Sequence, residues 1–168
     1  MGSLYIPDVV IQIKPPPPSG TQVSVGVSAT RLADIGLNFP VTVMSPREGA
    51  AEDGAFPVTV NAHLDTGASI TAIDVGLANH LKLIPTGISD IMTAGGLREL
   101  PNYVVDLLFP GSTLTPFVNI PIGSCYLGFD VNGDLSSSRN FALLIGRDIM
   151  SRWSIFWNGP ASSVMIND

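Results

Sequence analysis

Val58, Val60, Ala62 and Leu64 alternate with Thr59, Asn61 and His63, a period of two that predicts a strand with one face in a core. The same alternation recurs at Val9, Ile11 and Ile13, which predicts a first strand within residues 5–14, and again at Val23, Val25 and Val27 and at Phe39, Val41 and Val43. Longer apolar runs, Tyr103 to Phe109, Phe117 to Ile122 and Phe141 to Ile145, read as more deeply covered strands, the last with both faces buried. Trp153, Ile155 and Trp157, then Asn158-Gly159-Pro160, then Val164 and Ile166, predict a closing hairpin whose aromatic rings sit in the core. Helical spacing is confined to two short pieces. Asp74 is placed to cap one that runs to about Leu81, and residues 148–153 form the other. In outline the chain is all-β.

The punctuation between these elements sets the domain layout. Pro15 to Pro18 cannot donate to a sheet ladder and favour an extended polyproline form. That predicts an N-terminal arm with a proline-rich spacer over residues 1–20 and one folded domain over residues 21–168. The polar, turn-rich stretch 45–54 predicts an exposed loop, and Gly95-Gly96 between apolar stretches predicts a hairpin tip. Asp130, Asn132 and Asp134 have the opening spacing of a calcium loop, but Leu135 stands where that loop needs Gly and Phe141 where it needs Glu. A turn at Asn132-Gly133, with no metal, is the expectation.

With 168 residues the chain is long enough to bury a core without disulfides or metals. A formal charge of −6 argues against nucleic acid as a ligand, because phosphate binding needs clustered Lys and Arg. Only 13% of residues are charged, which predicts an apolar surface compatible with a buried dimer seam or with an apolar monomer. Cys125 stands alone, so no internal disulfide forms and a small buried hydrophobe is its expected role. No apolar run reaches the length of a membrane span and residues 1–10 lack the basic start of a secretory signal, so a soluble, cytoplasmic protein is expected. His63 and His80 have no partners at metal-ligating spacing and read as ordinary surface or helix-end residues.

The strand ending at Leu64 delivers Asp65 into a turn of small residues, Thr66, Gly67, Ala68 and Ser69, where the chain can bring main-chain N–H groups close to the carboxylate. Asp, Thr and Gly are ordinary turn formers, so the triplet by itself says little. Flanked by apolar strands, however, Asp65-Thr66-Gly67-Ala68-Ser69 resembles the active-site signature of the aspartic proteases. Ala142-Leu143-Leu144-Ile145-Gly146-Arg147-Asp148-Ile149 resembles that family's second landmark, an apolar strand ending in Gly, then Arg and a short helix. Asp34-Ile35-Gly36 and Asp74-Val75-Gly76 carry bulky apolar residues where the family has Thr or Ser, so neither is a second copy. Two-lobed members of the family hold two such acids on one chain, whereas retroviral-type members hold one and borrow the other from a twin.

The resemblance to the retropepsin-like, or retroviral-type, aspartic proteases covers about residues 22–168. It implies a single-lobed closed barrel with one or two short helices, active as a two-fold homodimer that hydrolyses peptide bonds without a cofactor. It implies that Asp65 is the catalytic acid, that Thr66 braces the two turns across the axis, and that Gly67 contacts substrate main chain, with Ala68 and Ser69 completing the turn. A mobile flap is implied over residues 91–98, with Thr93, Ala94, Gly95 and Gly96 around its tip, and Gly146, Arg147 and Asp148 are implied as structural support. Many retroviral enzymes pair that Arg with an Asp where this chain has Ser69, which leaves the partner of Arg147 open. The implied partners are a peptide or protein substrate and a second copy of the chain, with no nucleic acid and no membrane. Two other readings compete: a non-catalytic protein-binding or dimerisation module of the same fold, and a β-sandwich binding domain in which the triplet is only a turn.

Overall fold

The computed structural model describes residues 2–6, 9–13, 22–27, 36–46, 56–93, 96–133, 140–158 and 163–168, with backbone alone for residues 2–27 and Thr93. In chain order the strands and helices are β1 (Gly2–Ile6), β2 (Val9–Ile13), β3 (Gln22–Val27), β4 (Asn38–Met44), β5 (Val58–Leu64), β6 (Ala72–Asp74) and α1 (Val75–His80). They continue with β7 (Gly87–Thr93), β8 (Gly96–Leu108), β9 (Phe117–Cys125), β10 (Phe141–Ile145), α2 (Arg147–Met150), β11 (Ser154–Asn158) and β12 (Ser163–Asn167). The fold is all-β, with two short helices.

Six strands run side by side in the order β4-β5-β10-β6-β9-β8, and β8 returns to β4 through Thr42↔Leu108, Val43↔Leu107 and Met44↔Asp106. The sheet therefore closes into a barrel, which leaves its ring without free edges. Period-two alternation explains what fills it. Phe39, Val41 and Val43 of β4, Val60 and Ala62 of β5, and Tyr103, Val105 and Leu107 of β8 all point into one core. Strand β10 carries the continuous apolar run, and its Ala142, Leu143 and Ile145 are buried.

The placement of Asp65 depends on one pairing. Strand β10 lies parallel to β5, with Leu143↔Ala62, Leu144↔His63 and Ile145↔Leu64, and antiparallel to β6 on its other side. Parallel pairing brings equivalent strand ends together. The residues just beyond those ends, Asp65 after β5 and Gly146 after β10, emerge side by side although 80 positions separate Arg147 from Gly67 in sequence.

Strand β7 stays outside the ring and pairs only with the first half of β8, from Gly87↔Asn102 to Thr93↔Gly96. A second sheet has the order β1-β2-β3-β12-β11. The strand expected within residues 5–14 is β2, and β1 precedes it as an antiparallel partner, paired from Gly2↔Ile13 to Ile6↔Val9. Val164 and Ile166 of β12 belong to the same core as the barrel. The closing hairpin forms as expected, but its aromatic residues divide: Trp153 is in the core, 5.4 Å from Phe109, whereas Phe156 and Trp157 are exposed. Strand β11 ends the sheet with a neighbour on one side only, and its Ile155 packs against the core. The loop expected over residues 45–54 and the proline run fall mostly outside the described residues. Among the described residues no helix is long and apolar enough to cross a membrane.

Candidate active site

Asp65 leaves β5 with its own N–H donated to Ile145 O at 3.0 Å, so the last rung of the parallel pair fixes where the acid starts. The turn then closes on the side chain. Gly67 N–H donates to Asp65 Oδ1 at 2.8 Å, and Ala68 N–H donates to Asp65 O at 3.2 Å. A carboxylate that accepts a main-chain N–H is held in one orientation. No other donor among the described residues reaches it, and the half-buried Asp65 borders a cleft of about 750 Å³.

Arg147 and Asp148 hold the turn from behind. The Arg147 guanidinium donates from Nη1 to Thr66 O at 2.7 Å and to Gly67 O at 3.1 Å, while Arg147 N–H donates to Ala68 O at 3.0 Å. The cation is paired with the carbonyls of the turn itself, so no carboxylate is needed at Ser69. Asp148 Oδ2 accepts Thr71 N–H at 2.9 Å, and its Oδ1 accepts the Thr71 hydroxyl at 2.8 Å. The same Thr71 oxygen accepts Gly146 N–H at 3.1 Å. Thr71 is fully buried and sequence reasoning missed it, because a Thr between Ile70 and Ala72 reads as the outward phase of a strand. Its N–H goes to Asp148 and not to a ladder, and β6 begins only at Ala72.

Asp74 shows what separates the candidate acid from a look-alike. Its Oδ1 accepts Gly76 N–H at 2.7 Å, the same two-residue loop that Asp65 makes with Gly67, and so caps α1. Yet Asp74 is buried, and its second oxygen accepts Leu127 N–H at 2.6 Å. Both oxygens are committed, and the carboxylate serves to tie residue 127 to the helix. That tie has a use, because Tyr126 and Leu127 line the cleft. Cys125 also borders it, but burial, with a smaller contribution from Asp74, pushes its thiol up to about 12. A thiol so held is a poor nucleophile.

The hairpin of β7 and β8 forms the other wall, through Ile91, Met92 and Arg98. Its base is braced where Asn102 Nδ2 donates to Ser89 Oγ at 2.6 Å and Thr86 N–H donates to Asn102 O at 2.9 Å. Of the expected flap residues, Thr93 and Gly96 pair with each other, and Ala94 and Gly95 lie outside the described residues. The Asx turn beginning at Asp130, whose Oδ1 accepts Asn132 N–H at 2.9 Å, lies where a turn was expected. Among the described residues no group of three or more His, Cys, Asp or Glu is arranged to hold a metal ion.

His63 is not the surface residue its outward phase suggests. It is half-buried, its Nδ1 lies 2.6 Å from Asn38 Oδ1, and its ring sits 5.2 Å from that of Phe141. Burial holds its pKa below 6.5, against a smaller upward pull from Asp65. Above pH 6.5 the imidazole is neutral both folded and unfolded, so titration adds nothing to stability there. As pH falls below 6.5 the unfolded chain takes up the proton first, and stability declines until the folded-state pKa is passed. Urea unfolding at a series of pH values should show this slope, and His63→Gln should flatten it.

No protein-family model matches the chain, and no curated protein matches it. Among solved structures, it is similar to a retropepsin-like aspartic protease from Rickettsia conorii, with 13% identity and a TM-score of 0.47. The match covers 92% of this chain and 97% of that one. At that distance the likeness bears on neither chemistry nor partner, and the reading of the cleft rests on its own residues.

Proposed function

We propose that the protein is an aspartic endopeptidase of the retropepsin type, built from two copies of this chain. The observation that carries the reading is the setting of Asp65: a carboxylate oriented by Gly67 N–H, held at the floor of a cleft with a hairpin as its far wall. One such acid per chain is half of a two-acid centre, and a two-fold axis beside the turn supplies the other half from the partner.

Two carboxylates that close cannot both ionise comfortably, so the pair shares one proton and titrates as a unit, as in aspartic proteases generally. The ionised Asp65 takes a proton from a water molecule, which attacks the peptide carbonyl, while the protonated Asp65 of the twin donates to the carbonyl oxygen. The resulting tetrahedral species collapses with a proton passed to the departing amine. Rigidity is what the support network contributes. With the turn pinned at Thr66, Gly67 and Ala68 by Arg147, neither carboxylate has to be reoriented during the reaction. The peptide binds extended beneath the hairpin, like an added strand.

The test is peptide cleavage at mildly acidic pH, blocked by a statine-type transition-state analogue. Specific activity should fall on dilution in step with dimer dissociation measured by sedimentation. Full activity from a monomer would contradict the shared centre. A well-folded dimer that binds peptides from a broad library but turns none over would favour the non-catalytic module.

A further inference from the structure

The two faces of the β7–β8 hairpin differ in what they carry. Cross-strand partners in an antiparallel pair share a face, and successive residues alternate. Ile88, Asp90 and Met92 therefore share one face with Pro101, Glu99 and Leu97, while Ser89 and Ile91 share the other with Leu100 and Arg98. The second face is the inward one. Leu100 is buried, and the tip of Ile91 lies 3.2 Å from where a Cβ on Gly123 would stand. Ile88, Met92 and Leu97 of the first face are exposed. A hairpin that shows apolar side chains to solvent thus keeps a guanidinium on its inner face, where Arg98 lines the cleft. Among the described residues no carboxylate pairs with Arg98, whereas the other arginine of the cleft region, Arg147, is spent on the turn. Asp90 and Met92 of the outward set also border the cleft, and the register partner of Asp90 is Glu99.

We propose that Arg98 is a specificity-determining residue that selects a peptide with an acidic side chain at the position passing beneath it. The inference rests on the endopeptidase reading. A substrate Glu or Asp would place its carboxylate against the fork of N–H donors, a geometry that admits two parallel hydrogen bonds, while its stem lies on the apolar floor that Ile70 and Ile91 make around Gly123. A neutral Gln at the same position offers one acceptor and no charge. A Lys there is repelled. In a two-fold dimer each half-cleft carries its own Arg98, so the preference appears on both sides of the cleaved bond at related distances.

Peptide pools that place Glu, Gln or Lys at each position in turn decide the matter, with kcat/KM measured for the wild type, Arg98→Gln and Arg98→Glu. The wild type should favour Glu over Gln at one position or a symmetric pair by about tenfold, the scale of one partly exposed charge-assisted contact. Arg98→Gln should erase that preference, read as the ratio of kcat/KM for Glu and Gln peptides within each variant, and Arg98→Glu should turn it toward Lys. Cleavage without discrimination at any position, or discrimination that survives Arg98→Gln, overturns the inference and leaves the endopeptidase reading intact. No cleavage of any pool by the wild type overturns that reading and the inference with it. Should Arg98→Glu fold poorly, Arg98→Gln alone still separates these outcomes.

Discussion

Asp65→Asn is expected to lower kcat/KM for peptide cleavage by at least about 10²–10⁴-fold, the share of rate that a positioned acid–base group supplies. The fold should survive. Asn retains an oxygen at the place where Asp65 Oδ1 accepts Gly67 N–H, and the bond weakens by about 1 kcal/mol at most because the acceptor is now neutral. In the proposed mechanism the two acids act as one unit, so the substitution should also be dominant in mixtures. Wild type mixed with an excess of Asp65→Asn should lose activity per wild-type chain as mixed dimers form, because each mixed dimer holds a single carboxylate. Cleavage that persists in the variant, measured on protein with an unchanged melting curve, would reject Asp65 as the acid. Activity that ignores added variant would reject the shared centre.

Gly146→Ala is expected to have the largest effect on stability, a loss of about 3 kcal/mol in urea unfolding, at the upper end for overpacking. A Cβ at this position would stand 2.4 Å from Ile70 C, 2.5 Å from Ile70 O and 2.8 Å from Thr71 N. All three are backbone atoms, so no side chain can swing aside to make room. Parting the two segments also strains the bonds that cross between them, Gly146 N–H to Thr71 Oγ1 and Arg147 N–H to Ala68 O. The turn that carries Asp65 hangs from those bonds, and any activity should fall together with stability. A variant that unfolds at the wild-type urea concentration would show that this contact does not carry the junction.

Much of the barrel was legible in the chain because its strands obey the period of two. Val41 and Val43, Val60 and Ala62, and Tyr103, Val105 and Leu107 are all inward where alternation puts them. Phe141–Ile145 was readable as a doubly covered strand from its unbroken apolar run, and Asp74 as a cap from its place before a short helical pattern. Alternation failed where a side chain's partner comes from far along the chain. His63 has the outward phase of β5, yet Asn38 and Phe141 flank it. Thr71 reads as an outward strand residue, yet Asp148 and Gly146 bury it. Trp157 reads as core, yet it is exposed on the strand that ends its sheet.

By itself the order of residues was enough to determine the all-β class, the single Asp-Thr-Gly turn and the apolar strand before Gly146, because each is a local pattern of side-chain type and spacing. Tertiary structure alone decided which carbonyls receive Arg147, that Asp74 spends both oxygens internally while Asp65 faces a cleft, and that Arg98 lies on the inner face of its hairpin. The physical reason is the parallel register of β10 on β5: it sets two distant strand ends side by side, and no local periodicity encodes which strand will be the neighbour.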